Sequence, residues 1–82
     1  MALYQLRLFA FFREQLNQEV IDLEGPDQAM AGELLDRFFE RHPHLAKYRS
    51  ISRLALNRQF VGPDAVCSSN DELALIPPVS GG

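Results

Sequence analysis

The sequence predicts an α+β fold in which one main amphipathic helix packs against a mixed sheet of about five short strands. Three observations predict it. Met30, Ala31, Leu34, Leu35 and Phe38 recur at helical spacing, while the segments on either side alternate with a period of two. Gly25-Pro26 and Gly62-Pro63-Asp64 punctuate the chain where a strand has to stop. The chain has 82 residues, 46% of them apolar, which is enough for one core and one domain and far too apolar for intrinsic disorder.

In chain order, Tyr4 to Phe12 reads as the first strand, with Leu6, Leu8 and Ala10 on one face and Arg7, Phe9 and Phe11 on the other. Gln15, Asn17 and Gln18 break it, and Glu19 to Leu23 forms a second strand with Ile21 and Leu23 in phase. Asp27 is the expected N-cap of the helix. Glu33, Asp36, Arg37, Glu40 and Arg41 supply its solvated side, and Glu33 with Arg37 forms an i,i+4 pair. Gly32 costs that helix about 1 kcal/mol relative to alanine, so packing has to hold it. Pro43 biases His42 out of the helical region and ends the element. Residues 43–52 read as a loop with a single turn around His44 to Lys47. Arg53 to Leu56 and Gln59 to Val61 are strands joined by a turn at Asn57-Arg58, and Glu72 to Ile76 is the last strand. The expected core is Leu6, Leu8, Ile21, Leu23, Met30, Leu34, Phe38, Leu54, Leu56, Leu73 and Leu75. The order β-β-α-β-β-β with one helix over the sheet is a ubiquitin-like β-grasp arrangement.

Composition excludes several functions. A net charge of −3 argues against nucleic acid, whose phosphates require a clustered basic face, and against a polybasic membrane anchor. The longest apolar run, Leu8 to Phe12, is far too short to span a bilayer, and Arg7 interrupts the apolar stretch that a secretory leader would need. One cysteine makes no internal disulfide, so nothing requires an oxidising compartment, and a cytoplasmic location is expected. Cys67 lies in a loop-like polar stretch without the cationic setting of a reactive thiol. His42 and His44 lack a third ligand and read as solvated loop histidines, so no metal site is expected. No acid–base pair, phosphate-cradling loop or cluster-binding cysteine set is present.

The ending Ile76-Pro77-Pro78-Val79-Ser80-Gly81-Gly82 carries the functional information. Two prolines stop the ladder and favour an extended exit, after which the side chains shrink to nothing. A stiff root with a thin tip suits a channel too narrow for a Cβ. The chain thus divides into a folded domain over 1–76 and a flexible tail over 77–82 that carries the reactive carboxylate. That carboxylate, ionised at neutral pH, is a poor electrophile until a partner converts it to an acyl-adenylate. A sulfur nucleophile then makes a thiocarboxylate, or an amine makes an amide. If the in-phase leucines face the helix, then Phe9, Ala55, Phe60, Ala74 and Ile76 face away from it as an exposed apolar patch, the mark of a protein interface. A register slip of one residue would swap the two faces.

Over essentially the whole chain, from about Leu3 to Gly82, the sequence resembles the small, sulfur-carrying subunits of molybdopterin synthase. The ending Pro77-Pro78-Val79-Ser80-Gly81-Gly82 is the most specific part. Leu8-Phe9-Ala10, Arg13-Glu14, Leu56-Asn57, Phe60-Val61 and Asp71-Glu72 support it. The resemblance implies that Gly82 is adenylated by a ubiquitin-activating-type adenylyltransferase that uses ATP, then thiocarboxylated. It implies that the tail, with Gly81 letting it thread behind Pro77, Pro78, Val79 and Ser80, enters the large catalytic synthase subunit in a heterotetramer. There it donates sulfur to cyclic pyranopterin monophosphate. Phe9, Phe60 and Ile76 would form the contact surface and Arg13 a lesser contact. No cofactor would be bound by the chain itself, which would not be catalytic alone. Where the family often has an Asp-Gly turn before the last strand, this chain has Ser69-Asn70, and a left-handed Asn70 would preserve the turn. The same tail also serves β-grasp sulfur carriers for thiamine thiazole or cysteine synthesis, and ubiquitin-like protein modifiers.

Overall fold

In the computed structural model residues 1–77 are described; the expectations for Pro78, Val79, Ser80, Gly81 and Gly82 lie outside them. β1 (Ala2–Leu8) alternates strictly, burying Tyr4, Leu6 and Leu8 and exposing Leu3, Gln5 and Arg7. It pairs antiparallel with β2 (Val20–Gly25). After a three-residue strand, a helix and a 3₁₀ segment come β4 (Arg53–Leu56) and β5 (Gln59–Val61), and after one more three-residue strand β7 (Leu73–Ile76). They complete a five-stranded sheet in the order β2-β1-β7-β4-β5. β1 and β7 lie parallel at its centre and the other neighbours are antiparallel, so the sheet is mixed as expected. The helix α2 (Ala31–Arg41) covers one face, burying Leu34, Leu35, Phe38 and Phe39 against the leucines of β1, β4 and β7.

The first strand is shorter than the alternation suggested. β1 stops at Leu8, and Ala10–Leu16 forms a helix, α1, ended by Asn17 in the left-handed conformation at φ 55°. Strand alternation would put Phe12 with Leu8 on the core side and Phe11 outside; the helix buries Phe12 completely and half-buries Phe11 against Tyr48, their ring centroids 4.8 Å apart. Asp27 is not the N-cap of α2. Met30 holds that place, and the first helical N–H groups, on Ala31 and Gly32, donate to the carbonyls of Ala65 and Pro63 at 2.8 and 3.0 Å. Backbone from a distant loop therefore satisfies the donors that a side chain usually caps. The same contact explains Gly32: a Cβ there would come within 3.0 Å of the Pro63 ring.

Two further strands escaped the sequence reading. β3 (Gln28–Met30) and β6 (Val66–Ser68) form a separate antiparallel ribbon in which Ala29 faces Cys67 and Met30 faces Val66. The ribbon turns Ala29 and Cys67 inward and leaves Met30 51% exposed, so Met30 is not a core residue and Cys67 is not in a loop. Residues 43–52 are more ordered than a loop: Pro43–Ile51 is a run of 3₁₀ turns that docks Leu45 into the core. Ile21 and Leu56 pack only partly against the core, and Tyr4, Leu35, Phe39 and Leu45 join it.

Candidate functional site

The candidate surface is built by the register of the sheet. Across the face turned away from α2, Arg7, Ala74, Ala55 and Phe60 stand side by side on β1, β7, β4 and β5. One step toward the end of β7, Ile76 stands opposite Arg53. Phe9, just past the end of β1, completes the group. Small residues in the middle, Ala74 and Ala55, leave a shallow depression of about 240 Å³ between the larger side chains of Phe9, Phe60 and Ile76. Phe9 is 43% and Phe60 57% exposed, which is high for phenylalanine in a domain that buries Phe12, Phe38 and Phe39. Ala10 adopts a positive φ of 46°, uncommon for alanine, and this sharp turn from β1 into α1 sets where Phe9 points.

The residues expected to face away from the helix do so and the register that separates the two faces holds, but only Phe9 and Phe60 of them are exposed: Ala74 and Ile76 are half-buried, and Ala55 is buried between the larger side chains around it. Phe9, Phe60 and Ile76 surround one depression. Arg13, in the last turn of α1, is exposed and does not line it. Pro77 follows β7 directly and is half-buried. Arg53 escaped the sequence reading: its guanidinium lies over the Phe60 ring, 4.6 Å from the centroid. The signal was present, since Arg53 is two residues before Ala55 and so shares its face.

Around the depression Arg58 lies 3.5 Å from Glu72, a solvent-exposed pair of little energetic weight. The turn that carries Arg58 is tight. Asn57 and Arg58 both have positive φ, 51° and 71°, as a two-residue hairpin of this type requires. Asn57 fastens it to the strand entrance of β7: its N–H donates to the Glu72 carbonyl at 2.7 Å and its side-chain oxygen accepts from the Glu72 N–H at 2.9 Å. The Ser69-Asn70 turn also survives, though Asn70 is not left-handed. Instead the Asp71 N–H donates to the Ser68 carbonyl at 3.0 Å and the Asp71 carboxylate accepts from the Ser68 N–H at 2.8 Å. Those hydrogen bonds, first from the Ser68 backbone and then from Asn57, hold the Asp71 carboxyl below its ordinary value.

Other reactive groups lie elsewhere. Burial, and next the negative charge of Asp71, push the Cys67 thiol up, so the thiolate is disfavoured. His42 caps α2 rather than sitting in a solvated loop, with Nδ1 3.0 Å from the Phe38 carbonyl and its ring against Phe38; His44 is exposed. Among the described residues no three His, Cys, Asp or Glu side chains gather as a metal site, and no helix is long and apolar enough to cross a membrane. A wider groove of about 800 Å³ between α2 and the 3₁₀ segment is open and walled by ion pairs, Arg49 to Asp36 at 2.8 Å and Arg37 to Glu33 at 3.3 Å. The outer face thus offers a shallow apolar surface to bind with.

Residues 6–82 match the ThiS family. The chain is 37% identical over 75 residues to a molybdopterin synthase sulfur carrier subunit of Arabidopsis thaliana, covering 92% of this chain and 78% of that one. It is 32% identical over 82 residues to the subunit of that name in Dictyostelium discoideum, covering 96% and 95%. Among solved structures, SAMP1 from Haloferax volcanii superposes with a TM-score of 0.80 at 26% identity, covering 99% and 100%. A complex of subunits 1 and 2 of molybdopterin-converting factor from Helicobacter pylori contains a chain of the same fold, with a TM-score of 0.65 at 20% identity, covering 98% and 99%. The chain belongs to the ThiS family, whose ubiquitin-like β-grasp fold it has, and its relatives there include the sulfur carrier subunits of molybdopterin synthase.

Proposed function

We propose that this domain is the sulfur carrier of molybdenum cofactor biosynthesis and that its chemistry takes place at Gly82. The observation that carries the reading is the apolar patch of exposed Phe9 and Phe60 with half-buried Ile76, at the end of the strand that leads into Pro77-Pro78-Val79-Ser80-Gly81-Gly82. A partner that grips this patch is positioned to take the tail. The Gly82 carboxylate attacks the α-phosphorus of ATP in a ubiquitin-activating-type enzyme, releasing pyrophosphate and forming an acyl-adenylate. Hydrosulfide then displaces AMP to give the thiocarboxylate, or a persulfide does so and a second thiol cleaves the resulting S–S bond, leaving as the disulfide. The tail inserts into the large molybdopterin synthase subunit and delivers the sulfur to cyclic pyranopterin monophosphate. The domain supplies no acid, base or cofactor to these steps; it supplies the carboxylate, a narrow tip and a docking surface. The setting is the cytoplasm.

Adding one residue after Gly82 tests the reading, because the reactive carboxylate then no longer stands on the glycine. Molybdoenzyme activity in a strain that depends on this carrier should be lost while thermal unfolding is unchanged. A tail-extended chain that still restored activity would refute it. A second reading, attachment of the chain to lysines of other proteins, is favoured by the similarity to SAMP1, a small archaeal modifier protein. Covalent conjugates of this chain in its host, lost when Gly82 is removed, would support that reading instead.

A further inference from the structure

Arg53 is the residue of the outer face that packing within the domain leaves unexplained. Its guanidinium stacks over Phe60, and its backbone pairs with Ile76, the last residue of β7 before the tail. It is exposed, and among the described residues no carboxylate lies within ion-pair distance, whereas Arg37, Arg49 and Arg58 each have one. Arg7, in the same row as Phe60, is likewise exposed without an ion-pair partner among the described residues. Arg13, Arg41 and Lys47 also lack an ion-pair partner among the described residues, so what sets Arg53 apart is its guanidinium held over Phe60, which lines the apolar depression.

Stacking on an aromatic ring leaves the edge of a guanidinium free, with its N–H groups in plane and able to meet a carboxylate bidentately. A partner that covers Phe60 also covers Arg53 and strips its water. A purely apolar partner would then bury an unpaired charge, which is strongly unfavourable. We propose that Arg53 is a specificity-determining residue: it engages a carboxylate on the large-subunit partner, whose matching surface is an apolar socket with an acidic rim. This rests on the docking role proposed above for the patch. The acidic balance of the whole chain and the neighbouring Glu72 make a phosphate backbone a poor alternative occupant.

The test is binding to the separately purified large subunit, with affinity and association rate measured from low to physiological salt for the wild type, Arg53→Gln, Arg53→Lys and Phe60→Glu. Arg53→Gln should weaken binding by on the order of tenfold or more and flatten the salt dependence of association, with its melting temperature lowered only by the about 2–8 °C that the lost contact with Phe60 accounts for. Arg53→Lys should restore the salt dependence and recover only part of the affinity, since lysine keeps the charge without the planar edge. Phe60→Glu should abolish binding. Wild-type affinity and salt dependence for Arg53→Gln, with Phe60→Glu inactive, would overturn the role of Arg53 and leave the patch standing. Wild-type binding by Phe60→Glu would overturn the docking surface itself, and the role of Arg53 with it.

Discussion

Replacing Phe60 by alanine separates a residue that serves the fold from one that serves a partner. The ring is 57% exposed, so a little under half of it is removed from water. Burying a whole phenylalanine contributes about 1.5–3 kcal/mol, which leaves roughly 1 kcal/mol for this one. The Arg53 guanidinium above the ring adds about 0.5–1 kcal/mol at an exposed site. Phe60→Ala should therefore cost the domain about 1–2 kcal/mol, read as the change in urea midpoint at constant slope. A central aromatic in a protein interface costs about 2 kcal/mol or more on truncation, roughly a thirtyfold loss of affinity. Calorimetric titration with the large synthase subunit should show that loss in a chain that is still folded. A stability loss above about 3 kcal/mol would mean that the ring is core. Unchanged affinity would mean that the patch is not the interface.

Phe12 provides the contrast: it is fully buried among Phe38, Phe39 and Tyr48, and Phe12→Ala should cost about 3–5 kcal/mol, so a denaturation midpoint near that of wild type would contradict the placement of α1. Asp71 has a folded pKa held below its unfolded one, so its stabilisation is complete above the ordinary aspartate value of about 3.9 and is lost as pH falls through the lowered folded value. Asp71→Asn should accordingly lower stability near neutrality and flatten its decline in acid; identical pH profiles for the two chains would contradict the hydrogen bonds drawn from Ser68 and Asn57. Cys67 is buried with a raised pKa, so at neutral pH iodoacetamide should modify it only through unfolding and at a rate that rises with denaturant. Alkylation as fast as that of a free thiol would show that β6 does not shield it.

The sheet was legible in the sequence wherever alternation was clean. Leu6 and Leu8, Leu54 and Leu56, and Leu73 and Leu75 set both the strands and their faces, and so placed Phe9, Phe60 and Ile76 on the outer side. The misses share a cause, which is that the deciding contact is remote in sequence. The run from Leu8 to Phe12 satisfies strand alternation as well as a helix does; the spacing of Phe12 and Leu16 and the left-handed Asn17 were the only local signs of α1. Asp27 had the right chemistry for a cap, but Gln28–Met30 is drawn into β3, so the helix starts later and the carbonyls of Pro63 and Ala65, more than thirty residues away, satisfy its first donors. Met30 fits the helical stripe by spacing, yet it ends β3, where pairing with Val66 turns it outward. β3 and β6 are too short for periodicity to register, and unlike the equally short β5 neither is joined to its partner strand by a turn. Arg53 was legible as an outer-face residue, and only its place over Phe60 required the structure.

The central claim, that Gly82 carries sulfur, is tested most directly by the intact mass of the chain, ending at Gly82, after incubation with its host's extract, ATP and a sulfur source. The account predicts a mass gain equal to the replacement of one oxygen by sulfur, localised by fragmentation to Gly82 and absent without ATP. An unchanged mass, in an extract that thiocarboxylates another carrier of this family, would contradict it.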